Sequence, residues 1–233
     1  MSSSRPVQET LGLRTPPIAI GFLDDEPEGL ARWHGGSVPA GCAFWTKAMA
    51  GETFYTVPSD HFNCPVGCHT HRLPLPASRR TELGRAADTM IGAGYLLPSD
   101  VMSMPSLSRS PAAVAYGPVD AAPFPWDVIL LAATPAQGML IYEAFVRLGD
   151  DPLMVVSALG RPACSLLPFV TEGDRAALSF GCAGNRTFTD LPDDQLYFAV
   201  PAALWDRFSD VLETIVRANE TMATYYEGKK DTT

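Results

Sequence analysis

Five cysteines stand in the 233-residue chain, and four of them form two matched pairs, Cys42 with Cys64 and Cys164 with Cys182. Thiolate sulfur prefers soft partners, so four such groups on converging loops would suit an iron–sulfur cluster or a soft metal ion such as Zn²⁺ or Cu(I). The residues behind the second cysteine of each pair fit that chemistry. Gly67, Gly184 and Asn185 leave the backbone free to turn N–H groups toward a sulfur or an anion. Arg186 adds a planar fork of donors for an anionic ligand. Cys64-Pro65 also echoes the Cys-Pro that closes some ferredoxin motifs. The expected ligands are therefore Cys42, Cys64, Cys164 and Cys182, with Gly67, Gly184, Asn185 and Arg186 supporting them or holding a small molecule.

Two other readings of the same residues stay open. Thiols are among the most often buried side chains, and the chain has no Cys-x-x-Cys knuckle, so Cys42 beside Ala43-Phe-Trp45 and Cys164 beside Leu166-Leu167 also read as plain core. The protein would then be a small-ligand-binding module with structural cysteines. A cysteine-nucleophile enzyme would use Cys182 or Cys64 at a strand end, with His61 or His34 as the base, although His61 near Pro58-Ser-Asp60 reads as a solvated loop residue. Arg186 is equally suited to an ion pair with Asp190 or Asp193. Glu52 and Asp174, each beside a turn glycine, read as solvated; Met90, Met102 and Met104 read as gap-filling core or loop. Gly92-x-Gly94 is too short for a dinucleotide fingerprint, and no Gly-x-Ser-x-Gly elbow or phosphate-binding loop of the Walker type occurs.

These residues need a scaffold, and the composition allows one. With 46% hydrophobic residues, the chain can bury one large core or two intimately packed halves. A formal charge of −9 argues against nucleic acid as a partner, since phosphate binding rests on clustered Lys and Arg. No stretch approaches the roughly 18 apolar residues of a spanning helix, and residues 1–15 have no apolar signal core. A cytoplasmic protein is expected, whose thiols stay reduced and pair through a metal rather than as disulfides. Its partners would be a small molecule or a redox protein, not a membrane.

Apolar runs place strands at 17–23, 53–57, 113–119, 127–133, 153–156, 176–180 and 196–200. Helices are expected over 43–50, 79–91, 163–170 and, opened by Thr134-Pro135, on to Leu148. Pro201 starts a last helix to about Tyr225, with a stripe of Leu204, Phe208, Val211, Leu212, Ile215 and Met222. Residues 28–33 read as a brief helix or turn, and 70–111 as the most loop-like region.

The two halves repeat one order: apolar strand, helix, a cysteine opening a short helix, a glycine with acidic neighbours, a strand, then a cysteine-glycine turn. This predicts an internal duplication with units 1–120 and 121–233 packed as one body. The fold class expected is α/β or α+β, a mixed sheet with helices on its faces.

Pro17-Ile-Ala-Ile with Cys42 downstream, Phe54-Tyr-x-x-Pro58 leading to Cys64-Pro-x-Gly67, Asp127-Val-Ile-Leu, Ala163-Cys-Ser165 and Leu178-Ser-Phe-Gly-Cys-x-Gly-x-Arg186 together resemble domain-of-unknown-function family 169, over most of the chain. The resemblance implies that the four-cysteine pattern is a family trait and carries no activity with it. Cys68, His69 and His71 fall outside that pattern.

Overall fold

The computed structural model describes residues 6–149, 154–155 and 162–230. Its centre is one sheet of strands β1 (Ile18–Leu23), β2 (Phe54–Thr56), β3 (Ala113–Pro118), β4 (Val128–Ala133), β5 (Met154–Val155), β6 (Ala177–Ser179) and β7 (Leu196–Pro201). The spatial order is β2-β3-β1-β4-β7-β6-β5. Neighbours run antiparallel except β5 and β6, which are parallel, so the sheet is mixed as expected. The rest of the strand expected over 153–156 lies outside the described residues.

Side chains alternate across a strand, so each inner strand serves two different cores. Val128, Leu130 and Ala132 of β4 join Ile18, Ile20 and Phe22 of β1 and Tyr197 and Ala199 of β7 on one face. Ile129, Leu131 and Ala133 join Phe198 and Val200 on the other. Burial on both faces is why β4 reads as the unbroken run Val-Ile-Leu-Leu-Ala-Ala.

The first face is covered by α2 (Ala43–Met49), α3 (Pro65–Thr70) and α7 (Leu166–Gly173), all three carrying short segments next to cysteines. The second is covered by α1 (Val7–Leu11), α6 (Pro135–Leu148) and α9 (Trp205–Lys230). Helix α6 starts as its sequence dictates: the Thr134 hydroxyl accepts from the Gln137 N–H, and Pro135 sits in the first turn. Of the stripe expected on α9, Phe208, Leu212 and Ile215 are buried, while Met222 is exposed because the helix runs on past the body. Gly21 in β1 is required by close approach, since a Cβ there would lie 2.2 Å from the Pro125 carbonyl oxygen of the crossing loop.

The antiparallel β1–β4 pair lies in the interior of the sheet. Ala19 faces Ile129, flanked by Ile18 opposite Leu130 and Ile20 opposite Val128. Outward from this pair come β3 and β2 on one side and β7 and β6 on the other. Both β3 and β7 end on a proline, Pro118 and Pro201, that leads into a single 3-10 turn.

The turn alternative holds for residues 28–30, after which Arg32 bridges to Tyr55 beside β2. Other local expectations are corrected. The glycines read as turns behind the cysteines lie within helices: Gly67 in α3 and Gly184 in α8 (Ala183–Phe188). Within the stretch 70–111 the helix expected over 79–91 is present as α4 (Ala77–Gly92), and a second, unexpected helix follows it as α5 (Pro98–Met102). His61 is not solvated: it ends the 3-10 turn Pro58–His61 and is fully buried.

Candidate functional site

Each cysteine sits where a helix begins against the sheet. Cys42, Cys64 and Cys182 are the residues immediately before α2, α3 and α8, and Cys164 lies in the 3-10 turn that runs into α7. All five cysteines are unpaired thiols. The four cysteines singled out in the sequence, Cys42, Cys64, Cys164 and Cys182, together line one cavity of about 770 Å³.

The thiols feel one another. Burial pushes Cys42 up to about 12, with Cys64 and Cys182 adding to the rise, while the Asn185 side chain opposes it. Burial likewise holds Cys164 well above the ordinary thiol range, with Cys64, Cys182 and Cys42 contributing in the same direction. Cys64 is raised for the same first reason, against the pull of the Gly41 and Gly67 backbones. In the metal-free protein these three are neutral thiols at pH 7, and a bound cation is the natural means of converting them to thiolates.

Asn185 ties the halves together at this point. Its N–H donates to Cys182 Sγ at 3.4 Å, and its amide donates to the Tyr197 hydroxyl at 3.3 Å. The same side chain bears on Cys42, a residue of the other half. Asn185 is 1% exposed, and its Oδ1 has no partner. Gly67 is set by the sulfur beside it, because a Cβ at that position would come within 2.9 Å of Cys64 Sγ. Gly184 lines the cavity and has open space around it. Arg186 turns away from the cavity: its guanidinium donates to the carbonyls of Phe180, Pro192 and Gln195 and lies 3.8 Å from Asp193. Its part is to lock the loops that follow β6 and precede β7.

The cavity is roofed by α4. Leu83, Ala86, Ala87 and Met90 recur at helical spacing and face inward, with Val101 and Met104 beside them. The chain after α4 then reaches across to the other half, where the Tyr95 hydroxyl accepts from the Ala183 N–H at 3.3 Å. His69, Arg80 and Glu82 are exposed lining residues and so mark the mouth. Among the described residues no three His, Cys, Asp or Glu side chains gather tightly enough to hold one metal ion. The sulfurs are mounted around the walls of the cavity.

The other candidates lie elsewhere. His34 is exposed and outside the lining, while His61 Nε2 is 2.8 Å from the Thr56 hydroxyl. Burial lowers His61 to about 3 and His71 to about 4, so both are neutral. Cys68 is fully buried and donates to the His61 carbonyl. Glu52 lies 3.9 Å from Lys47, and Asp174 caps α7 in the left-handed region with φ 49°. Met90 and Met104 line the cavity, whereas Met102 is 89% exposed. Sequence reasoning missed the roof, though the spacing of Leu83, Ala86, Ala87 and Met90 was there to read.

Fold and site together define a mixed α/β protein with a cysteine-walled cavity on one face of its sheet. The chain belongs to the DUF169 family, described as uncharacterised ArCR, whose model matches residues 7–210 and so spans all four cysteines. No curated protein and no solved structure matches it. Among the described residues no helix is long and apolar enough to cross a membrane.

Proposed function

We propose that the protein binds an iron–sulfur cluster, or failing that a soft metal ion, through Cys42, Cys64, Cys164 and Cys182, and uses it in a redox or small-molecule role in the cytoplasm. The observation that carries this reading is the meeting of four cysteines, two from each half, in one cavity. A single tetrahedral ion needs every sulfur about 2.3 Å from one point, whereas a polynuclear cluster fills space between ligands set further apart. Sulfurs spread around a cavity wall suit the second. Two N–H-rich helix starts and the Asn185 amide face the thiols, as donors that stabilise cluster sulfur do. The order of elements repeated in the sequence supports reading 1–120 and 121–233 as diverged copies whose equivalent cysteines share one site.

The protein should be purified without oxygen, inspected for brown colour, and assayed for iron, acid-labile sulfide, zinc and copper. The expected result is bound metal that falls with Cys42→Ser, Cys64→Ser, Cys164→Ser or Cys182→Ser and survives Cys68→Ser. A colourless, metal-free protein that resists reconstitution with iron and sulfide, and whose stability is unchanged by Cys182→Ser, would sink the reading.

A binding module with structural cysteines is the second reading, favoured by a cavity larger and more apolar than four thiolates require. The raised thiols of Cys42, Cys64 and Cys164 disfavour a nucleophilic role for them, since the thiolate is the reactive form.

A further inference from the structure

We infer that the same cavity takes a small organic anion with an apolar body, a medium-chain or aromatic carboxylate, which enters under α4 and leaves its charged head at the mouth. The inference goes beyond metal binding and rests on parts of the cavity that the cysteines do not occupy. Its volume of about 770 Å³ falls in the range of sites for small organic ligands. Besides the cysteines the lining includes Leu83, Ala87, Met90, Val101, Met104 and Phe188. Water against such a wall lacks hydrogen-bonding partners, and an apolar body displaces it favourably.

The mouth sets the sign of the head group. Glu82 is held by Arg79 at 2.5 Å, and the same Arg79 donates to Asn63 Oδ1 at 2.9 Å, so that carboxylate is already neutralised. Arg80 is exposed on the cavity lining, and among the described residues no acidic side chain pairs with it. His69 lies on the same lining as a second donor. An unpaired guanidinium on a protein of net charge −9 is a local site for an anion, and its fork suits a carboxylate. Leu83 lies three residues from Arg80, one helical turn on, so a single molecule spans both.

The test is displacement of 8-anilino-1-naphthalenesulfonate, itself an anion with an apolar body, followed by its fluorescence. Decanoate should displace the dye about tenfold better than 1-decanol, the difference being one charge-assisted contact. Arg80→Gln should abolish that preference and leave decanol unaffected. Leu83→Trp should remove both by filling the cavity, and Ala87→Trp serves if Leu83→Trp fails to fold by circular dichroism. Failure of decanoate to displace the dye, or equal displacement by acid and alcohol with no effect of Arg80→Gln, overturns the inference. Metal content separates the two proposals. Arg80→Gln should retain the wild-type metal, and Cys182→Ser should retain decanoate binding.

Discussion

The two faces of the sheet are built to different rules. On the face under α1, α6 and α9, buried Ile129, Leu131, Ile141, Phe145, Phe198, Phe208 and Leu212 form an apolar core, with Phe145 and Phe208 stacked at 4.9 Å between centroids. The cysteine face holds Trp45, His61, His71, Tyr116 and Asn185, each with a buried polar atom that lacks a partner. A buried donor or acceptor without a partner costs about 1–3 kcal/mol, so the cysteine face carries that penalty at several positions. The helix face is the more purely apolar of the two, and the cysteine face is polar and hollow.

Breaking the helix face should have the largest effect. Phe208→Ala removes a fully buried α9 ring stacked on Phe145 of α6, and should destabilise by about 3–5 kcal/mol in a denaturant titration. Its effect on metal or dye binding in the surviving folded protein should be small. Binding lost in parallel with stability would mean that the two faces are one cooperative unit with no division of labour.

Acid should find the weakness of the other face. His61 and His71 are held neutral at about 3 and about 4 by burial, against 6.5 in the unfolded chain. Below pH 6.5 the unfolded chain binds protons that the folded one refuses, so stability is full above that pH and falls as pH drops toward 4. The slope is about 1.4 kcal/mol per pH unit for each histidine. His71→Phe tests this, since the ring already packs on Phe22 at 5.3 Å between centroids and the substitution keeps an aromatic ring there. Thermal melts of the metal-free protein between pH 7 and pH 4 should lose roughly half the wild-type slope assigned to the pair. An unchanged slope would remove His71 from the account.

The contrast between faces also marks what could be read in advance. The unbroken apolar strand β4 and the capped helix α6 were legible because local chemistry and tertiary role agree there. The four cysteines were picked out by their order in the sequence, and the structure places all four on the lining of one cavity. The starts of α3 and α8 were misread as turns because Gly67, Gly184 and Asn185 are poor helix formers, although Pro65 behind Cys64 is a first-turn signal. The burial of His61 and His71 was hidden, because it depends on packing with Phe44 and Phe22 from distant segments. Arg186 looked like a ligand group because a sequence cannot say which carbonyls a guanidinium will meet.

Asn185 bears on both Cys182 and Cys42, so replacing it sharpens the comparison from inside the site. Asn185→Ala takes a donor from the Tyr197 hydroxyl and from Cys42, and should destabilise by about 1–3 kcal/mol. The backbone N–H to Cys182 remains. If Asn185 only fills space, bound metal per protein should not change; if it holds the sulfurs in place, metal content should fall more than stability does.

The smallest effect belongs to the roof. Helix α4 contains no buried residue, so Leu83→Ala removes a side chain that is only half-buried over an empty space. No cavity is created, because one is already there, and the cost should stay below about 1 kcal/mol, well under the range for a buried Leu. The same methyl groups form part of the wall against which an apolar ligand would rest, so dye affinity should weaken while the melting temperature barely moves. The ratio of the two effects is what distinguishes a roof from a core. On the helix face every lost methyl appears in stability, and on the cysteine face it should appear in binding.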